Sequence, residues 1–143
     1  MKKTLFTTAI VLTILIVGFL YFQTSKEIPS LSTEVVIEEI HSDSLNTSVF
    51  IRSISRGLNY KVIVISQTNK NFDESNPKNE FVYNWTPIFY QLKEDTLFVY
   101  THKRVKQPVE FNSPIFVKQI ELSNSKMMDL FNSYKDKGIK LIQ

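Results

Sequence analysis

A chain of 143 residues with a net charge of +3 and no cysteine excludes several classes at once. Without thiols there is no disulfide framework, no thiol nucleophile and no cysteine-ligated zinc or iron–sulfur centre. With Gly18, Gly57 and Gly138 as its only glycines, it has neither a Walker A loop nor a dinucleotide fingerprint.

The chain opens on Met1-Lys2-Lys3, and Thr4 to Ser25 then carries no charge. A helix over Leu5–Phe22 is roughly 27 Å long at about 1.5 Å per residue, close to the hydrocarbon thickness of a bilayer. Its end is bulky, Phe19-Leu20-Tyr21-Phe22, and no small-x-small pair sits where a signal peptidase would cut. The segment therefore predicts an uncleaved anchor. Lys2 and Lys3 precede it, whereas Lys26 is offset by Glu27 and followed by Glu34, Glu38 and Glu39. Positive charge favours the cytoplasmic side. The expected layout is a cytoplasmic N-terminus at 1–4, a transmembrane helix at 5–22, a polar connector at 23–32 and an extracytoplasmic domain at 33–143, in the cell membrane. Two of the 17 basic residues are Lys2 and Lys3, and without them the chain is within one charge of neutral, so no nucleic-acid partner is expected. The single alanine, Ala9, amid abundant Lys, Asn, Ile and Phe reads as the bias of an AT-rich bacterial genome.

Beyond the connector come β-like segments at Thr33–Ile40 and Ser48–Ile54. A turn at 55–59 leads back through Tyr60–Ser66, with the length and turn chemistry of a hairpin. Val62-Ile63-Val64-Ile65 is apolar on both faces, as in a central strand covered on both sides. Residues 66–80 read as an exposed loop. Glu80–Trp85 resumes a strand that Pro87 interrupts, and Ile88–Leu92 with Thr96–Thr101 flanks a second hairpin turn at 93–95. A proline-containing loop over 103–114 precedes the last long strand, Ile115–Leu122. A helix is predicted over Ser125–Lys137, because Met127, Leu130, Phe131 and Tyr134 recur on one face. Ser123 or Ser125 can cap its start, and Gly138 is placed just past its end. Ile139–Ile142 suggests a short final strand. The expected fold class is α+β: a mainly antiparallel β domain of six or seven strands, with one C-terminal amphipathic helix on one face. Val62–Ile65 then needs a second layer or a partner over its other face.

His41-Ser42-Asp43-Ser44 holds residue types used in nucleophilic hydrolysis, but adjacent residues at a strand end make a turn more readily than a converging triad. The two histidines, His41 and His102, have no metal-ligand spacing. No catalytic residue, metal or cofactor is expected. Arg52 and Arg56, which flank a turn, could grip a carboxylate or phosphate, but ordinary surface ion pairs explain them better. The candidate ligand or partner surface combines Tyr83 and Trp85 on an aromatic strand with the basic stretch His102, Lys103, Arg104 and Lys106. Aromatic rows bind glycans, and basic stretches bind anionic headgroups; aromatic residues in strands are also ordinary core. The leading functional expectation is a non-enzymatic, membrane-tethered domain that contacts another envelope protein or itself. The alternative is an extracytoplasmic module for glycan or anionic lipid.

Overall fold

The computed structural model describes residues 33–57, 60–70, 78–84 and 87–142. The anchor and connector expected at 5–22 and 23–32 lie outside these residues, as does Trp85. Among the described residues no helix is long and apolar enough to cross a membrane.

Among the described residues eight strands form in chain order: β1 (Thr33–Ser42), β2 (Thr47–Arg56), β3 (Lys61–Ser66), β4 (Phe81–Asn84), β5 (Ile88–Lys93), β6 (Thr96–Thr101), β7 (Phe116–Glu121) and β8 (Lys140–Ile142). One helix, α1 (Asn124–Ser133), lies between β7 and β8. The protein is thus α+β, mostly antiparallel, with a C-terminal helix. The strands divide into two four-stranded sheets, ordered β1-β2-β3-β4 and β7-β6-β5-β8, where one sheet of six or seven strands was expected. Successive strands pair within the first sheet up to β4, and β5 starts the second sheet one residue past Pro87. A proline, having no N–H, cannot continue a ladder.

The division answers the need for cover on Val62–Ile65. β3 lies between β2 and β4, and alternation sends its side chains to opposite faces. Ile63 and Ile65 join Val49, Ile51, Phe81 and Tyr83 from the first sheet in a cluster with Ile88, Tyr90, Leu97, Val99, Val117 and Ile142 from the second. That cluster is the core of a sandwich, and burying each such side chain contributes about 1.5–3 kcal/mol. Val62 and Val64 turn to the outer face and pack with Ile54, Tyr60 and Val82.

The β5–β6 hairpin closes with Lys93 opposite Thr96, and Glu94 takes a φ of +51° to make the two-residue turn. β6 and β7 pair in parallel, Thr96 against Phe116 through Thr101 against Glu121. A parallel neighbour needs a long crossover, which residues 102–115 supply without regular structure. This loop is anchored by its apolar residues: Phe111 meets Phe81 edge-on at 5.0 Å, Val105 packs on the core, and Pro108 is buried.

On the outer face of the second sheet, Met127 and Leu130 of α1 pack with Phe89 and Ile139, and Tyr100, Leu122 and Tyr134 border them. Ser123 caps the helix by accepting from Lys126 N at 3.5 Å. Regular helix ends at Ser133, four residues before the predicted end. The chain then turns with Ile139 N bonded to Tyr134 O (2.9 Å) and Gly138 N to Lys135 O (3.1 Å), the bond pair of a Schellman motif. Gly138 has a φ of +64°, a conformation that glycine adopts without steric cost.

Candidate interaction site

Among the described residues, those that sequence reasoning put forward do not converge. Tyr83 points into the sandwich and is 1% exposed. Its hydroxyl donates to Gln119 Oε1 at 3.1 Å, and burial raises its pKa. It belongs to the core, and no ligand reaches it without opening the fold. The loop beyond β6 separates the basic residues. His102 lines a cavity of about 400 Å³ with Phe89, Met127 and Phe131 under α1, whereas Lys106 lines another of about 320 Å³ with Lys78, Val82 and Val109. Lys103 and Arg104 are exposed, and Arg104 Nε stands 3.9 Å from Glu121 Oε2.

Around the β1–β2 turn the polar residues knit loops together. Ser42 Oγ donates to Asp95 Oδ1 at 2.8 Å, and Ser44 Oγ donates to the same oxygen, joining this turn to that of the β5–β6 hairpin. Those hydrogen bonds hold the Asp95 carboxyl below its ordinary pKa. His41 Nδ1 is 3.0 Å from Ser48 Oγ, and His41 Nε2 is 3.6 Å from Asp43 Oδ1. That contact sequence resembles a hydrolytic triad only on paper. Ser48 gives its one proton to Glu39 Oε1 at 2.6 Å, so the ring nitrogen facing it is the donor and cannot act as its base. The Asp43 side chain is also fully exposed, and the His41 side chain is 45% exposed, where water weakens such pairs. Among the described residues no three His, Cys, Asp or Glu side chains gather as a metal would require.

The unusual surface lies beside this turn, along β1. Among the described residues it is the edge of the first sheet, paired on one side with β2 over its full length from Thr33 to Ser42. Val35, Val36 and Ile37 are 48%, 50% and 48% exposed. Three successive residues point alternately to both faces, so apolar surface is presented above and below the edge. An unpaired edge also leaves a row of backbone N–H and C=O groups open to another strand. A depression of about 290 Å³ borders the outer side, walled by Thr33, Val35, Ile37 and Ile54 with Arg52, Arg56 and Lys70. A second, of about 300 Å³, borders the other end, between Glu39, Ile40 and His41 of β1 and Tyr90, Gln91 and Lys140 of the second sheet. The β1 edge thus carries a pocket toward each end.

No protein-family model, curated protein or solved structure matches this chain.

A half-buried carboxylate, a buried tyrosine hydroxyl and a buried guanidinium flank this edge. Glu38 points toward the second sheet, where Lys140 Nζ meets its Oε1 at 2.5 Å. Burial works against the charged carboxyl, but the Lys140 ammonium and the nearby Tyr90 hydroxyl outweigh it and lower the pKa. Tyr90 Oη itself is buried beside Glu38 without a well-aligned hydrogen bond, and burial, followed by its interaction with the Glu38 carboxylate, raises its pKa. On the outer face Arg52 is 2% exposed. Its Nη2 donates to Ser66 Oγ at 3.0 Å and to Thr68 O, while Nε and Nη1 have no hydrogen-bond partner. Burial lowers the Arg52 pKa, and the charge of Glu80 opposes that shift. The sequence marked Arg52 only as one side of a turn. Alternation with Ile51, which faces the core, sends Arg52 to the outer face, so no local pattern signalled that it would be enclosed.

Proposed function

We propose that this chain is a membrane-tethered, non-enzymatic interaction protein, and that its β-sandwich holds another envelope protein by adding a strand to β1. The observation that carries the reading is the half-exposed run Val35, Val36 and Ile37 on a ten-residue sheet edge. Soluble β proteins blunt such edges with short strands, prolines, bulges, charges or cover. Among the described residues β1 is long, regular in its pairing with β2 and free of proline, and its charges, Glu34, Glu38 and Glu39, flank the apolar run instead of interrupting it. Strand addition draws affinity from main-chain hydrogen bonds and specificity from pockets for alternate side chains, and depressions of suitable size lie toward both ends. The apolar segment Leu5–Phe22 and the lysines before it support the tether and an extracytoplasmic domain. The exposed and misdirected His41–Ser48 contact supports a non-enzymatic role. Among the described residues a glycan or anionic-lipid module would be left with His102, Lys103, Arg104 and Lys106, because Tyr83 is enclosed.

A photoreactive amino acid placed at Val36 in living cells tests this reading. A discrete adduct with one other protein is expected, with none from the same residue placed at Lys118 on the far sheet. Equal, diffuse labelling from both positions would refute it.

A further inference from the structure

Three features beyond the apolar run invite a function: the buried Arg52 beside its depression, the His102 cavity under α1, and the charges along β1. The charges carry furthest, because they say what kind of strand the edge accepts. From them we infer that the partner strand belongs to a different protein and carries basic residues on either side of a short apolar run. The inference rests on β1 being the docking edge and names the chemistry of its partner.

A second copy of this chain fits poorly. Only one antiparallel register sets all three residues Val35, Val36 and Ile37 against their copies, with Val36 opposite itself. That register brings Glu34 opposite Glu38 at both ends, with one Lys140 for each two carboxylates. A parallel pairing in register stacks Glu34, Glu38 and Glu39 each upon itself. Like charges directly opposite are destabilising in a sheet. No lysine or arginine occurs between Thr33 and Ser42, so no register supplies the missing cations.

An incoming antiparallel strand meets Glu34 and Glu39 directly. Both are exposed, whereas Glu38 is already matched by Lys140. Arg56 and Lys70 lie a strand or more away across the outer face. Side chains two strands apart are roughly 10 Å from each other, about one Debye length in physiological salt, so their influence is mostly screened. The complementary pattern is basic, any residue, three apolar residues, basic. The two cations stand five positions apart and so face opposite sides of the sheet, as Glu34 and Glu39 do.

The test uses the full chain in detergent micelles and three acetylated, amidated hexapeptides: Lys-Thr-Val-Ile-Val-Lys, its acidic twin with Glu for both lysines, and a basic control with Pro for the first Val, which faces the outward-bonding Ile37. Attraction at two positions in one peptide and repulsion in the other should give about tenfold tighter binding of the basic peptide in low salt. The margin should shrink with added salt. The proline control should not bind, since it breaks the ladder. Glu34→Lys with Glu39→Lys should invert the preference. Equal binding of basic and acidic peptides would overturn the charge inference while leaving edge docking intact. Binding by none of them would overturn both. Reversible dimerisation of the chain that Val36→Asp abolishes would replace the heterotypic partner with a second copy.

Discussion

Gln119 is the residue whose removal should reveal how the far side of the sandwich is held. It sits on β7, opposite the β1 side, and its side chain makes three hydrogen bonds. Oε1 accepts from Tyr83 Oη at 3.1 Å and from Val105 N at 2.8 Å, and Nε2 donates to Val105 O at 3.0 Å. It thereby ties β4 of one sheet, β7 of the other and the crossover loop at one point. Each bond contributes about 0.5–1.5 kcal/mol net, and a buried hydroxyl left without a partner costs about 1–3 kcal/mol. Gln119→Ala should therefore destabilise by about 3 kcal/mol, or roughly 10 °C in melting temperature for a domain of this size. Tyr83→Phe alone removes one bond and should cost about 1 kcal/mol. Combined with Gln119→Ala, however, it should be neutral or mildly stabilising, because it deletes the hydroxyl that the first change orphaned. The coupling of about 1–2 kcal/mol is the quantity to measure, by urea unfolding followed by circular dichroism on the full chain in micelles. If the two changes add to within about 0.5 kcal/mol, the clamp is not acting as described. The same cycle shows why Tyr83→Ala is no probe of a ligand surface: it would cost about 3–5 kcal/mol as a core truncation.

Other consequences follow from the same geometry. Arg52→Met should be neutral or stabilising by about 1 kcal/mol in urea unfolding, since it removes a buried charge with unmatched donors, whereas Arg52→Ala should destabilise by about 2 kcal/mol through lost packing. Tyr83 and Tyr90 both have raised pKa values in the fold. Their neutral form is therefore shared by folded and unfolded chains below the unfolded value of 10.0, and only the unfolded chain ionises above it. Stability should be unaffected by them up to about pH 10 and then fall by about 1.4 kcal/mol per pH unit for each tyrosine. Urea midpoints measured from pH 9 to 12 should show this, with a shallower fall in Tyr83→Phe. Gly138→Ala should cost about 1 kcal/mol in thermal melts from its φ of +64° alone, because a Cβ there would meet Gln91 Nε2 at an ordinary 3.5 Å. Gly138→Asn should cost less.

Much of the local structure was legible because it follows from neighbouring residues. The β-branched run Val62–Ile65 announced a strand covered on both faces, and it became β3 with neighbours on either side. The periodicity of Met127, Leu130 and Tyr134, with Ser123 before it and Gly138 beyond it, announced the helix and its cap, though regular helix stops at Ser133, short of the predicted Lys137. Division into two sheets was not legible, because strand partners depend on contacts distant in sequence and the pattern of one strand is the same in either sheet. The parallel β6–β7 pair was hidden for the same reason, since a loop rich in polar residues does not show where it returns. Alternation placed Phe81 and Tyr83 on one face but could not say that this face was the core. Glu38 and Lys140 lie 102 residues apart, and the three bonds of Gln119 join separate elements, so no local pattern marks any of these residues. The exposed edge was equally silent: Val35, Val36 and Ile37 read as any buried strand would, until the sheet order left β1 outermost.

The central claim is that β1 receives a strand, and residue-by-residue amide hydrogen exchange tests it most directly. With the basic hexapeptide bound to the full chain in micelles, alternate amides between Glu34 and Ile40, those facing away from β2, should slow markedly while their neighbours stay unchanged. Slowing confined to β7 or α1, with the β1 amides exchanging as in the free protein, would contradict the account.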